Sequence, residues 1–124
     1  MTTAEQLAQL TASIPAATWK LVGDGSHLIT ISDVDLPEGW NTSKTTVRFI
    51  APVGYPVSRP DCFWADPNLR LKSGAVPANT GQNNLPDGSS PQLWFSWHVQ
   101  RWSPNHDTLL TYFRAIKTRF REAR

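Results

Sequence analysis

The first part of the chain places apolar side chains at the spacing of an amphipathic helix. The recurring residues are Leu7, Leu10 and Ile14. Thr2 and Glu5 have the spacing of a helix capping box. Pro15 cannot continue a helix. The pattern therefore predicts a first helix that begins after Thr2 and ends before Pro15.

The pattern then changes to the alternation of apolar and polar residues that is typical of β-strands. Extended segments are predicted at residues 19–21, 27–31, 45–50 and 62–64. Gly23-Asp24-Gly25 supplies the backbone freedom for a reversal between the first two segments, which predicts a hairpin. Prolines at positions 52, 56 and 60 exclude a regular central strand from the connection to the fourth segment. We therefore expect a four-stranded antiparallel meander.

A polar stretch separates these strands from the last part of the chain. Residues 72–91 contain three glycines, three prolines and three asparagines and have no repeating apolar pattern. We expect a long irregular loop here, which is either functional or mobile. Order is predicted to return at the aromatic run from Leu93 to His98, as a strand or as a buried irregular segment.

The final segment has the strongest helical pattern. Its apolar face consists of Leu109, Leu110, Phe113, Ile116 and Phe120. Asp107 is the expected N-cap, and Phe113 is expected in the core, where truncation to alanine would leave a cavity. With the first helix and the meander, this pattern predicts an α+β fold with a single domain over residues 1–124. The C-terminal helix would pack on one face of the sheet.

Composition narrows the functional classes. Of the 124 residues, 40% are hydrophobic and 18% are charged, which suits one globular core. A formal net charge of +2 is too small to indicate a nucleic-acid or membrane partner. One cysteine cannot form an internal disulfide, and no apolar run has the length of a membrane span, so we expect a cytoplasmic protein. His27 and His106 have no further ligand at zinc-site spacing, and neither a metal nor another cofactor is expected.

Two proline-containing motifs frame the middle of the chain. Tyr55-Pro56 with Pro60 precedes it, and Trp102-Ser103-Pro104 follows it, directly before the last helix. With these motifs the chain resembles the ubiquitin-conjugating-enzyme (UBC/RWD-like) superfamily, and in particular its prokaryotic branch. The resemblance implies a UBC-like fold, in which both motifs are fold markers. It also implies two partners, a ubiquitin-like modifier and an adenylating, ThiF-like activating enzyme.

The resemblance breaks at the position of the catalytic cysteine. Conjugating enzymes carry a His-Pro-Asn motif followed by the thioester-forming cysteine. Here Asp66-Pro67-Asn68 replaces the motif, and Pro77, which has no nucleophile, occupies the cysteine position. We expect the only cysteine, Cys62, to be a buried structural thiol. A reactive thiolate would need an exposed, electropositive setting, for which Arg59 is the nearby candidate.

Three other residues are candidates for a catalytic site. Ser96 and His98 stand two positions apart, where a strand would place both side chains on one face. Such a pair suggests a nucleophile and its base, although a histidine between tryptophans is also typical of a hydrogen-bonded core residue. Asn68 is the candidate counterpart of the oxyanion-stabilising asparagine of conjugating enzymes. A turn-forming asparagine is the alternative.

These observations leave three functional hypotheses. The first is a noncatalytic or cysteine-independent partner of the activating enzyme and the modifier, because the usual nucleophile is missing. The second is an active conjugating enzyme that forms an oxyester on a serine or threonine, or that uses Cys62, with help from His98 and Asn68. The third is an RWD-type protein interaction module with no role in modifier transfer.

Overall fold

The chain forms one six-stranded antiparallel sheet with a helix near each end. The computed structural model describes all of residues 1–124. The elements are α1 (Thr3–Ser13), β1 (Ala17–Leu21), β2 (His27–Asp35), β3 (Lys44–Ala51), β4 (Phe63–Ala65), β5 (Thr80–Asn84), β6 (Pro91–Phe95) and α2 (Leu109–Phe120). The strands follow the order β1-β2-β3-β4-β6-β5, and all neighbours are antiparallel. Neither helix is long and apolar enough to cross a membrane.

The core lies between the two helices and one face of the sheet. The helices contribute Leu7, Leu10, Leu109, Tyr112, Ile116 and Phe120, and the sheet contributes Ile29, Ile31, Val47, Phe49, Phe63 and Phe95. Alternate residues of a strand point to opposite faces, so Ile29 and Ile31 of β2 share this core with odd-numbered residues of β3, β4 and β6. A register shift between Ile31 and Val34 then brings Val34 into the same core. Burial of each such side chain contributes about 1.5–3 kcal/mol before conformational entropy is subtracted.

The first helix, the hairpin and the third strand are found where the pattern predicts them. Thr2 is the N-cap of α1, and Thr2 and Glu5 make both hydrogen bonds of the capping box. β1 and β2 form the predicted hairpin, and β3 pairs with β2. The fourth predicted strand is also present, but it begins at Phe63, so Cys62 lies just outside it.

The sheet has six strands rather than the four that the sequence predicts. All of β5 and the first residue of β6 fall within residues 72–91, where an irregular loop was expected. β5 has the sequence Thr-Gly-Gln-Asn-Asn and lies at the edge of the sheet with largely exposed side chains. An edge strand of this kind is defined by its backbone pairing with β6, not by a buried face. The alternation that marks buried strands is therefore missing from this segment.

α2 differs from its prediction in its cap and in its buried face. Thr108 is the N-cap, whereas Asp107 accepts a hydrogen bond from the Ser103 amide at 2.6 Å. Tyr112 is fully buried, whereas Phe113 is only partly buried. Helical spacing alone does not choose between two adjacent aromatic residues. The buried stripe consists of Leu109, Tyr112, Ile116 and Phe120 together with Arg119.

The two framing motifs contact each other. The rings of Tyr55 and Trp102 lie 5.9 Å apart between centroids, and the Trp102 indole N–H donates to the Pro56 carbonyl at 2.8 Å. The Tyr55 hydroxyl in turn donates to Gln6 of α1. These contacts join the segment before β4 to the segment before α2, and they place both beside α1.

Candidate active site

The candidate site lies where β4 begins and β6 ends. The two strands pair with Phe63 opposite Phe95. One further hydrogen bond follows, from the Cys62 amide to the Trp97 carbonyl at 3.0 Å. Antiparallel pairing therefore places Asp61 and Cys62 beside the residues that follow Phe95.

His98 lies between Asp61 and Ser96. Its Nδ1 atom is 2.5 Å from Asp61 Oδ1, and its Nε2 atom is 3.5 Å from Ser96 Oγ. Because a carboxylate only accepts hydrogen bonds, Nδ1 carries the hydrogen in the neutral ring, and the lone pair of Nε2 faces the serine. This order of carboxylate, imidazole and hydroxyl activates a serine for attack on an acyl group. The contact to Ser96 is longer than a formed hydrogen bond, as is common before a substrate binds.

The three groups are accessible to a substrate. The side chains of Asp61 and His98 are 55% and 54% exposed, and Ser96 is partly buried. They lie at the end of two paired strands, so the backbone of the sheet sets their separation. The site therefore combines an open approach with a fixed arrangement of its backbone.

Cys62 lies beside the same groups in a more enclosed position. The residue is 6% exposed and has a φ of +62°, which is uncommon for a residue with a side chain. Burial, together with the Asp61 carboxylate, raises the pKa of the Cys62 thiol. Cys62 is thus buried as expected, but its Sγ atom, a ring nitrogen of His98 and a carboxylate oxygen of Asp61 all lie within 4.8 Å of one another. These three atoms are the donors in the site that could hold a metal ion.

Two hydrogen bonds from the site segments to α2 hold them in place. The Tyr112 hydroxyl donates to the Cys62 carbonyl at 2.8 Å, and the Trp97 indole N–H donates to the Ala115 carbonyl at 3.2 Å. Burial raises the pKa of Tyr112 well above its usual value, so the hydroxyl keeps its proton for this bond. α2 therefore supports both segments that form the site, directly before β4 and directly after β6.

The family of the chain is shown by its sequence over nearly its full length. Residues 12–123 match the model of the family described as Prokaryotic E2 family E. The chain belongs to this family. As a member of an E2 family, the protein is ubiquitin-conjugating-like. Comparison with curated proteins and with solved structures finds no match.

The family-E chain keeps Asn68 apart from Ser96 and His98. Asn68 follows the end of β4, whereas Asp61 and Cys62 precede its beginning. The backbone carbonyl of Asn68 accepts a hydrogen bond from the Asn41 side chain at 3.1 Å, within a turn. The structure therefore brings together two of the three predicted site residues and leaves the third at the opposite end of the strand.

Asp61 is the residue of the site that sequence reasoning missed. No motif surrounds it, and 37 positions separate it from His98. The one sequence signal of Asp61 is its position directly before the predicted fourth strand. This position places Asp61 near His98 only when β4 pairs with β6, and the sequence does not indicate that pairing. Pro77, at the expected position of the cysteine, is buried before β5 and accepts a hydrogen bond from Thr80 at 2.7 Å.

Proposed function

We propose that this E2-like protein is the conjugating component of a bacterial ubiquitin-like modification pathway and that it carries the modifier as an ester on Ser96. The alignment of Ser96 Oγ, the His98 ring and the Asp61 carboxylate carries this proposal. Membership of an E2-like family supports acyl transfer as the reaction class.

The first step is attack of Ser96 Oγ on the activated carbonyl carbon at the C-terminus of the modifier. The hydroxyl proton passes to His98 Nε2, the bond between the carbon and its leaving group breaks, and the leaving group takes the proton from His98. Asp61 stabilises the transient imidazolium through its bond to Nδ1. In the second step a target amine attacks the ester, the carbon–Oγ bond breaks, and His98 moves a proton from the amine to Ser96.

Ser96 fits the role of acceptor better than Cys62 does. Cys62 is more buried than Ser96, and its raised pKa reduces the fraction of thiolate, which is the nucleophilic form. An ester is less activated than a thioester. The second step therefore needs stabilisation of the oxyanion, which a partner protein would supply.

The proposed reaction requires two partners. A ubiquitin-like modifier supplies the acyl group, and an adenylating activating enzyme of the ThiF-like type supplies the energy that activates its carbonyl. The alternative is the noncatalytic role, in which the protein positions the modifier without a covalent bond. Pro77 favours this alternative, because a buried residue without a nucleophile stands at the expected cysteine position.

Incubation of the purified protein with its activating enzyme, modifier and ATP, followed by denaturing gels, tests the proposal. We expect an adduct that hydroxylamine cleaves and that thiols leave intact. Ser96→Ala should abolish it, and His98→Gln should slow its formation by about 10²–10⁴-fold. Ser90→Ala changes an exposed serine of the β5–β6 connection and is the matched control.

Three results would contradict the assignment of Ser96. A thiol-sensitive adduct that disappears in Cys62→Ala would identify Cys62 as the acceptor. Binding to the activating enzyme and the modifier without any adduct would leave the noncatalytic role. Absence of binding to either partner would leave the RWD-type interaction module.

A further inference from the structure

The proposed acyl transfer does not use Cys62, although Cys62 lies beside two groups that take part in it. Its Sγ atom belongs to the cluster with Asp61 and His98 in which all donor atoms lie within 4.8 Å of one another. A thiolate, an imidazole and a carboxylate are the three donor types that proteins use to bind zinc.

We propose that Asp61, Cys62 and His98 form a zinc site, with Cys62 Sγ, His98 Nδ1 and an Asp61 carboxylate oxygen as ligands. A zinc ion with three protein ligands keeps a fourth position for water. The charges also match, because one thiolate and one carboxylate balance the charge of the dication while the imidazole binds as a neutral ligand.

The three donor atoms, which lie within 4.8 Å of one another, need only small movements to reach the separations of a tetrahedral site. Zinc–ligand bonds of about 2.0–2.3 Å set the ligand atoms about 3.3–3.8 Å apart. Asp61 Oδ1 and His98 Nδ1 are 2.5 Å apart, and the Nδ1 proton lies in this hydrogen bond. Zinc would take the place of this proton and separate the two atoms by about 1 Å. Both side chains are more than half exposed, so they can make this movement.

Cys62 supplies the fixed ligand of the site. Its amide donates to Trp97 at 3.0 Å, and its carbonyl accepts from Tyr112 at 2.8 Å. The backbone on both sides of the thiol is therefore held. Because the two exposed ligands adjust to the fixed one, zinc binding needs no change in the sheet.

The donor set selects against the hard cations of the cell. Mg²⁺ and Ca²⁺ take oxygen ligands, whereas a thiolate with an imidazole suits zinc. The Mg²⁺ that accompanies ATP would therefore not occupy the site. The ligands stand at positions 61, 62 and 98, which is not a zinc-binding spacing, and the sequence accordingly predicts no metal.

Zinc at this position would inhibit acyl transfer. This inhibition rests on the proposed function, whereas the zinc site does not depend on it. With zinc on Nδ1, Asp61 no longer stabilises an imidazolium. Because the neutral ring would bind zinc through the lone pair of Nδ1, its hydrogen would lie on Nε2, which then has no lone pair for the Ser96 proton, so Ser96 loses its base. Removal of zinc would restore the Asp61–His98 hydrogen bond.

Titration of the chelator-treated protein with Co²⁺, without an activating enzyme, tests the site. We expect a single Co²⁺ ion to bind with a thiolate-to-cobalt charge-transfer band, which Zn²⁺ removes by displacement and Mg²⁺ leaves unchanged. Cys62→Ala should abolish the band, and His98→Gln should weaken binding at least about tenfold. His106→Gln, in an exposed turn before α2, should bind as the native protein does. Absence of the band, or equal affinity of His98→Gln and the native protein, would overturn the site.

Ser96→Ala separates the two proposals. We expect this variant to bind Co²⁺ normally while it forms no modifier adduct. Failure of the native protein to form an adduct, with Co²⁺ binding intact, would contradict the proposed function alone. Adduct formation at an unchanged rate with zinc bound would overturn the inhibition.

Discussion

The Tyr112→Phe substitution removes one oxygen atom from the core beside the candidate site. In the native protein this hydroxyl donates to the Cys62 carbonyl at 2.8 Å, and no other hydrogen bond to that carbonyl is present. The packing of the ring against Phe49, at 5.2 Å between centroids, is retained, so no cavity forms. The cost is that of a buried acceptor without a donor. We expect the free energy of unfolding to fall by about 1–3 kcal/mol.

Tyr55→Phe is the matched control, because it also removes a buried hydroxyl. The acceptor of Tyr55 is the side-chain oxygen of Gln6, which also accepts from the Leu109 amide at 3.1 Å. That oxygen keeps a partner after the substitution, so we expect a loss of about 0.5–1.5 kcal/mol.

Urea unfolding followed by the fluorescence of the six tryptophans measures both variants. The slope of the free energy against urea concentration should stay unchanged, since both variants expose the same surface on unfolding. A loss for Tyr55→Phe that equals or exceeds the loss for Tyr112→Phe would refute the reasoning. A loss below about 0.5 kcal/mol for Tyr112→Phe would refute it as well.

Three further predictions use the same unfolding measurements or a simple titration. Phe120 contacts three other aromatic rings in the core, so Phe120→Ala should lower the free energy of unfolding by about 3–5 kcal/mol. Phe113 is only partly buried, so Phe113→Ala should cost less than half of that. Gly39→Ala should lower the free energy of unfolding by about 1–3 kcal/mol more than Gly74→Ala does. Both glycines have positive φ, but only at Gly39 would the new Cβ meet Ala123, at 2.5 Å. Equal losses of stability in the two variants would contradict this reasoning. Burial raises the pKa of both tyrosines above the value of about 10 in unfolded chains. The free energy of unfolding should therefore fall as the pH rises above about 10. Reversible tyrosinate absorbance near pH 10 in the folded protein would disprove this prediction.

The elements with a buried face could be predicted from the sequence. α1 buries helically spaced side chains and β3 buries alternate ones, and their positions follow from the pattern. For β2 the pattern gives only residues 27–31, because the alternation is interrupted by a register shift between Ile31 and Val34. β5 could not be predicted in this way, because its polar side chains face solvent and only backbone pairing makes it a strand. In α2 the pattern identifies the helix but not which of Tyr112 and Phe113 is buried, since that choice depends on the carbonyl that the Tyr112 hydroxyl meets.

Only part of the candidate site could be predicted from the sequence. Ser96 and His98 stand out because they are two positions apart within one extended run. Asp61 contacts His98 only through the pairing of two strands that are distant in the sequence, and local pattern carries no information about that register. Cys62 was expected in the core because of its residue type, whereas its closeness to His98 follows from the same pairing.

Under the proposed function, the pairing of β4 with β6 also determines at which stage of folding Ser96 becomes reactive. These strands lie inside the sheet, and interior strands open only in large cooperative fluctuations or in global unfolding. Ser96 and its base share one strand end, but the carboxylate that orients the base arrives only when the sheet is complete. If Ser96 carries a modifier as proposed, a nascent or damaged chain would therefore have a serine of ordinary reactivity and would not compete with folded copies for the modifier.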